Sequence, residues 1–312
     1  MGDPSVNASP MLRPLGFGEL FDRAITLYIR NFVPFVGIVA VLLVPGAILQ
    51  FVLGSSQSQQ LTDTWKIMQH PGTQPPVPPP FPFSGVMLAV LIVGGLITII
   101  AQPFVLNAVA AGVARLYGGE RVEFRACYEM SLRRWPAVLG LLLLEFALFI
   151  AAYIGLVLFV FLAVAIGVGL AAVSKALGVF IAILAVPILF AIVLAFVLIL
   201  VAFSFAMYAV VFEEKGAFSA MSSAFGRILN KYEWWRAVLV AICAGLIVLT
   251  GTSIVSILAL AALFVKQIWL YVILNSVANG VVTPFSIVLF AVYYFDVRVR
   301  REGLTQITSS NA

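Results

Sequence analysis

One block of sequence, from Ala137 to Phe212, constrains the fold of this chain more than any other feature. The block has 76 residues, and only Glu145 and Lys175 within it are charged. A soluble core does not need so long an apolar run, whereas runs of about 18 or more apolar residues are typical of membrane-spanning helices. The composition agrees, because 63% of the chain is hydrophobic and only 10% is charged. We therefore predict an all-α, polytopic membrane protein.

Six apolar segments are each long enough to cross a hydrocarbon core of about 30 Å, which takes about 20 helical residues. Two of them come from the central block, because Ser174 and Lys175 divide it and basic segments flank both of its ends. We predict a single six-span membrane domain over residues 17–303, between a disordered tail (1–16) and a polar tail (304–312). The predicted spans lie at about residues 32–52, 85–113, 137–165, 180–212, 237–264 and 268–295.

Gly54–Ser84 connects the first two spans and is predicted to be a polar loop. It contains seven prolines, which favour extended, polyproline-like chain. It also contains the one histidine of the chain, His70, which has no Cys, Asp or Glu near it in a metal-ligand spacing. We interpret His70 as a solvated residue and expect no metal or other cofactor.

The distribution of positive charge predicts how the chain is threaded. Of the 18 lysines and arginines, 15 fall in the N-terminal segment, residues 114–136, residues 213–236 and the C-terminal tail. The other three, Lys66, Lys175 and Lys266, lie one each in the remaining connections. Positive charge concentrates on the cytoplasmic side of membrane proteins. We therefore expect a multi-pass protein of the inner (plasma) membrane with both termini in the cytoplasm.

Three short amphipathic segments each precede a pair of spans. The first, Phe17–Phe32, places Leu20 and Tyr28 on one helical face, and the others begin near Phe124 and Phe218. Such helices suit the headgroup layer. The alternative for the first segment is an ordinary cytosolic extension of the helix that follows it. Their recurrence after about 100 residues predicts three helical hairpins related by an internal repeat. The alternative is that every junction between cytoplasm and membrane selects similar Arg, Trp and Pro residues.

Glu145 is the strongest candidate for intramembrane chemistry. It lies about 15–17 Å along the helix from Arg134, near the middle of the bilayer. Asn107 and Ser204 are each about 12 Å from the basic ends of their own spans. A carboxylate, an amide and a hydroxyl at one depth predict a polar site, since ionisable residues inside a membrane generally mark function. The alternative is a protonated Glu145 that hydrogen-bonds a neighbouring helix.

The sequence contains no phosphate-binding glycine loop, zinc motif or nucleophile elbow. We expect no enzymatic activity. We also expect no nucleic-acid partner, because the arginines flank apolar runs instead of forming a separate basic domain. Arg298, Arg300 and Arg301 are candidate contacts to anionic lipid headgroups, or they only anchor the last span.

The two ends of the chain resemble one family. The opening segments Leu15–Ala24 (LGFGELFDRA) and Leu27–Phe32 (LYIRNF) and the closing segment Tyr293–Gly303 (YYFDVRVRREG) resemble bacterial proteins with the glycerophosphoryl diester phosphodiesterase membrane domain. By hydropathy the resemblance covers nearly the whole chain. Some members carry an additional phosphodiesterase domain with histidine and acidic catalytic residues. With one histidine here, the resemblance implies a stand-alone membrane domain without that activity.

These observations predict an integral membrane protein that binds or organises lipid, including anionic lipid, or another membrane partner, without catalysis. The alternative function is a small transporter or lipid-handling channel that uses the polar site around Glu145.

Overall fold

The computed structural model describes residues 13–69, 85–230, 233–264 and 267–303. Within these residues the chain forms nine helices and no strand. The helices are α1 (Phe17–Arg30), α2 (Phe32–Gln69), α3 (Gly85–Tyr117), α4 (Phe124–Leu132), α5 (Trp135–Val173), α6 (Lys175–Phe212), α7 (Ala217–Ile228), α8 (Trp234–Phe264) and α9 (Ile268–Glu302).

Six of these helices are long and apolar enough to cross a membrane, which confirms the predicted all-α, polytopic class. Their candidate spans are Phe32–Leu53, Leu88–Tyr117, Trp135–Leu170, Lys175–Phe212, Trp234–Ala262 and Ile268–Glu302. The predicted division of the central block is also confirmed, because α5 ends at Val173 and α6 begins at Lys175 with only Ser174 between them.

The predicted loop between the first two spans is wrong for its first half. α2 continues through Gly54 to Gln69, since this stretch has no proline and contains several good helix formers such as Gln, Leu and Met. The prolines begin only at Pro71. His70 and the proline-rich stretch lie outside the described residues.

The helices follow one order three times: a short amphipathic helix and then two long ones. α4 packs on α3 and α7 packs on α6, so each of these short helices contacts the second span of the preceding pair. α1 follows no earlier pair in the chain, and it packs on the last span, α9. This is the contact pattern expected if the predicted repeat ran in cyclic order.

Equivalent positions are buried in the three short helices. The fourth and eighth residues of each are fully buried, namely Leu20 and Ala24 in α1, Cys127 and Ser131 in α4, and Ala220 and Ala224 in α7. A shared register counted from the start of each helix agrees with a repeat, because a junction selected only for Arg, Trp and Pro would not fix which helix face is buried.

The apolar stripe of α1 is covered by protein and not by the headgroup layer. In α1, Leu20 and Ala24 are fully buried and Tyr28 is nearly so, which corrects the expectation that this stripe would face lipid. The apolar side chains of α1 that stay exposed are on its other side, including Ile25 (43%) and Ile29 (66%). If α1 touches the membrane surface, it does so through these residues.

The described chain divides into two compact units. Unit 1 contains residues 1–133 and 244–312, and unit 2 contains residues 134–243. In unit 1, α9 packs against α1, α2 and α3. Its second half supplies the largest buried side chains, with Tyr293, Tyr294 and Phe295 all at most 1% exposed.

Gly112 allows α2, α3 and α4 of unit 1 to approach closely. A Cβ atom at this position would lie 2.9 Å from the Phe35 ring and 3.2 Å from Val122, with the Cys127 sulfur at 3.7 Å. We expect Gly112→Ala to destabilise the protein by about 1–3 kcal/mol through overpacking. Gly95→Ala, where a Cβ meets nothing within 4 Å, is the matched control and should be neutral or slightly stabilising. Thermal unfolding in detergent checks both; equal midpoints would contradict the prediction.

Unit 2 is dominated by the α5–α6 hairpin, on which α7 packs near the basic ends of the two spans. α5 has 39 residues and α6 has 38, so each is about 58 Å long at 1.5 Å per residue. An upright crossing of about 30 Å uses only half of that length. Large apolar side chains stay exposed as far as the tip, including Phe161 (71%), Phe190 (69%) and Val173 (79%).

Candidate functional site

In unit 1, the buried carboxylate of Asp296 joins the two ends of the chain. Its Oδ1 accepts a 2.6 Å hydrogen bond from the backbone N–H of Leu15, and its Oδ2 accepts a 3.0 Å bond from Arg300 Nε. Arg300 also donates to the backbone carbonyl of Leu15. Both backbone groups of Leu15 are therefore held by side chains of the last span, 281 and 285 residues away.

Aromatic and hydroxyl contacts extend this joint along α1. Tyr28 donates a 2.6 Å hydrogen bond to the backbone carbonyl of Val281, and burial raises the pKa of Tyr28 to about 12, so the phenol remains a donor. The guanidinium of Arg23 lies 5.6 Å from the centre of the Tyr117 ring, which in turn meets Phe295 edge-on at 5.5 Å. The joint thus connects α1, α3 and α9.

The three arginines predicted to contact headgroups have different surroundings. Arg300 belongs to the joint with Asp296. Arg298 pairs with Glu302 at 2.9 Å and lies 5.8 Å from the centre of the Tyr294 ring. Arg301 is exposed on the surface. The guanidinium groups of Arg298 and Arg300 therefore make contacts within the protein, and the role of all three arginines in headgroup binding stays a prediction.

Unit 2 has a comparable acidic residue at the end of its second span. Glu213, which caps the C-terminus of α6, binds Arg227 of α7 through two contacts of 2.7 and 2.8 Å, and Lys215 pairs with it at 2.7 Å. The next residue, Glu214, has a positive φ of 53° and pairs with Arg134. Asp296 and Glu213 each follow a buried phenylalanine, Phe295 and Phe212. In both joints, the acidic residue that makes the contact therefore comes directly after a buried aromatic residue.

The predicted polar site divides between the two units. Glu145 and Ser204 belong to unit 2 and Asn107 to unit 1. The Ser204 hydroxyl donates to the backbone carbonyl of Leu200 in its own helix, at 3.2 Å. Glu145 is half-buried, and within the described residues it makes no hydrogen bond or ion pair with Ser204.

Asn107 is fully buried in unit 1. Neither its amide nitrogen nor its carbonyl oxygen has a hydrogen-bond partner among the described residues. A buried amide without partners costs free energy, so Asn107 is a point where a water molecule or a polar ligand group would be stabilised.

Sequence reasoning missed one group of intramembrane polar residues, on α8 and α9 of unit 1. Ser256 of α8 donates a 3.2 Å hydrogen bond to the side-chain carbonyl of Asn275 on α9. Asn275 and Asn279 also donate to backbone carbonyls one turn earlier in α9. The serine of one predicted span and the asparagines of the next were the features of the sequence that could have predicted this group. The group links two helices, as polar side chains in membrane proteins commonly do.

Two apolar grooves run between α5 and α6 of unit 2. The proximal groove, of about 660 Å³, includes Phe149, Tyr153, Leu156, Ile192 and Phe196. The distal groove, of about 680 Å³, lies near the hairpin tip and includes Ala163, Gly167, Lys175, Gly178 and Ala185. Both volumes fall in the range of about 300–1,000 Å³ that is typical of ligand pockets.

The fold and these sites define a polytopic, all-α membrane protein whose accessible grooves are apolar. In the part of the chain that the structure describes, no three His, Cys, Asp or Glu residues are grouped as metal ligands would be. No protein-family model, curated protein or solved structure matches the chain. The resemblance of its two ends to the phosphodiesterase membrane-domain family therefore stays a prediction.

Proposed function

We propose that this multi-pass protein binds or organises membrane lipid, or another apolar membrane partner, without catalysing a reaction. The observation that supports the proposal is the α5–α6 hairpin, with its two apolar grooves and its exposed apolar surface along about 58 Å. Apolar patches far larger than a few hundred Å² are covered by lipid or by a partner. Lipid is the partner that every membrane supplies.

The proposal places the protein in a bacterial inner membrane, with both termini in the cytoplasm. The support is the crowding of 15 of the 18 positive charges into four of the seven segments outside the spans. The exposed arginines of those segments, such as Arg30 and Arg121, would attract anionic headgroups, each contributing about 1 kcal/mol near the surface. Arg301 would add to this contact.

Native mass spectrometry of the detergent-released protein tests the proposal. We expect retained phospholipid that is enriched in anionic headgroups, and we expect the variant Arg30→Gln/Arg121→Gln to lose that enrichment. The exposed acid Asp22 on α1 provides a control of opposite sign, since Asp22→Asn removes a negative charge and should keep or raise the enrichment. A protein released without any phospholipid, although folded, would contradict the proposal.

A small transporter or lipid-handling channel is the second candidate function. It is favoured by one observation: Glu145 lies within a span, half-buried, and makes no described hydrogen bond. If Glu145 has no role in transport, Glu145→Gln should leave lipid retention, growth and the flux of proteoliposomes unchanged, because the amide keeps the shape of the side chain. A flux that falls about tenfold or more in this variant would favour the transporter, since general acid–base groups typically contribute at least that much.

A further inference from the structure

The α5–α6 hairpin is longer than one crossing needs, and the aromatic residues of α5 predict which part of it the bilayer covers. Trp135 and Tyr153 are 18 residues apart in α5, about 27 Å along the helix. Aromatic side chains with polar tips concentrate at the two surfaces of a bilayer, and this separation matches the hydrocarbon thickness. Ala163, at the start of the distal groove, is then about 15 Å beyond the level of Tyr153.

Small residues form the floor of the distal groove. Gly167 and Ala163 lie one turn apart on α5, and Gly178 and Ala185 lie on the facing part of α6. Because their side chains are short, a bound hydrocarbon chain can approach the helix backbones closely, as helices do at small residues in membranes. Exposed Val164 and Val168 on the α5 side of the groove add apolar area.

Lys175 places a positive charge beside this apolar groove, at the hairpin tip. It is exposed, and among the described residues no carboxylate pairs with it. The only acid in the hairpin helices is Glu145, about 42 Å from the tip along α5. The macrodipoles of α5 and α6 largely offset each other here, because one helix ends where the other begins. The local charge therefore comes from the lysine.

We propose that the distal groove binds an acyl chain of an anionic phospholipid from the membrane, with the phosphate paired to Lys175. This inference rests on the proposed function and assigns it a site. A second copy of the chain is a poorer occupant. Copies inserted in one orientation would bring two Lys175 side chains together at the same depth, and like charges repel.

Photo-crosslinking of the full chain tests the inference. The protein is reconstituted in phosphatidylcholine vesicles that contain trace phosphatidylglycerol with a diazirine in its acyl chain. We expect crosslinks in the peptide around Ala163–Ala185. Lys175→Gln should lower the yield about fivefold, the fold-change that corresponds to about 1 kcal/mol for one exposed ion pair, and Lys175→Arg should preserve it.

Two glycines provide a matched steric test. Gly178 lines the groove, and Gly169 lies on the same hairpin outside its lining, at a position where a Cβ meets nothing within 4 Å. We expect Gly178→Leu to abolish crosslinking at the groove and Gly169→Leu to leave it unchanged. A phosphatidylcholine with the same diazirine should label the groove of the wild-type protein only weakly. We expect its yield to match the yield of the phosphatidylglycerol probe on the Lys175→Gln variant.

Three outcomes would overturn the inference: equal labelling by the two phospholipids, wild-type labelling of Lys175→Gln, or crosslinks between two chains at the tip in place of lipid adducts. Any of these outcomes would contradict lipid binding at the distal groove. If native mass spectrometry still detected retained anionic phospholipid, the proposed function would not be contradicted. Loss of all retained lipid would remove both.

Discussion

Replacing Glu213 with leucine is expected to destabilise unit 2 by about 3–5 kcal/mol, the usual loss when one partner of a buried ion pair is removed. The Glu213 and Arg227 side chains are each only 9% exposed. Without the carboxylate, Arg227 loses both of its contacts to Glu213 in a largely desolvated position. Unfolding in detergent, followed by tryptophan fluorescence, measures the loss.

Two further variants separate the ion pair from the packing around it. Arg227→Met should lose less stability than Glu213→Leu, because Glu213 keeps Lys215 as a partner at 2.7 Å. The double variant Glu213→Leu/Arg227→Met should recover part of the loss, since it leaves neither charge buried. The control is Glu129→Leu, which removes an exposed pair with Arg125 and should change stability little. A midpoint for Glu213→Leu as high as that of Glu129→Leu would contradict the prediction.

Asp296→Ala is expected to release α1 from α9 and to lower the free energy of unfolding of unit 1 by about 2–4 kcal/mol. The Asp296 side chain is fully buried and accepts two hydrogen bonds, from Leu15 and Arg300. Hydrogen bonds to a charged group contribute about 1.5–3 kcal/mol each. The bond from Leu15 falls in that range, whereas the pair with Arg300, which is about a third exposed and can recover water contacts, adds only about 0.5–1 kcal/mol. The total is therefore about 2–4 kcal/mol.

Proteolysis provides a local readout of the same joint. If α1 detaches, trypsin should cleave after Arg23 and Arg30 faster in Asp296→Ala than in the wild type, because protease sites must unfold locally. Asp296→Asn should be intermediate, since the amide oxygen still accepts the Leu15 N–H but the charge opposite Arg300 is lost. Asp22→Ala, on the exposed side of α1, should leave the cleavage rate unchanged. Equal rates in all variants would show that Asp296 does not hold α1.

The joint brings together residues of the two terminal segments Leu15–Ala24 and Tyr293–Gly303, whose resemblance to the membrane-domain family stays a prediction. Leu15 and Arg23 belong to the opening segment, and Phe295, Asp296 and Arg300 belong to the closing one. Their side-chain and backbone groups contact each other or a common neighbour, Tyr117.

The predictions that were wrong concern properties that the local residue pattern does not determine. Gly54–Gln69 is polar and was predicted to be a loop, yet polarity does not end a helix whose residues still favour helical backbone. Glu145 and Ser204 are at comparable depths, but depth does not set the rotation of a helix about its axis, and no described hydrogen bond joins them. Leu20 and Tyr28 form an apolar stripe, and the stripe faces α9 instead of lipid.

The sequence by itself determined the all-α class, the six spans and the division of the central block at Ser174 and Lys175, because a bilayer selects span length and hydropathy one segment at a time. Only the tertiary structure decided that Asp296 and Arg300 hold Leu15, that Glu213 holds Arg227, and that a groove runs beside Lys175. These contacts join residues from different helices. Their formation depends on which helix faces meet, and for apolar helices of nearly uniform composition the hydropathy pattern leaves that choice open.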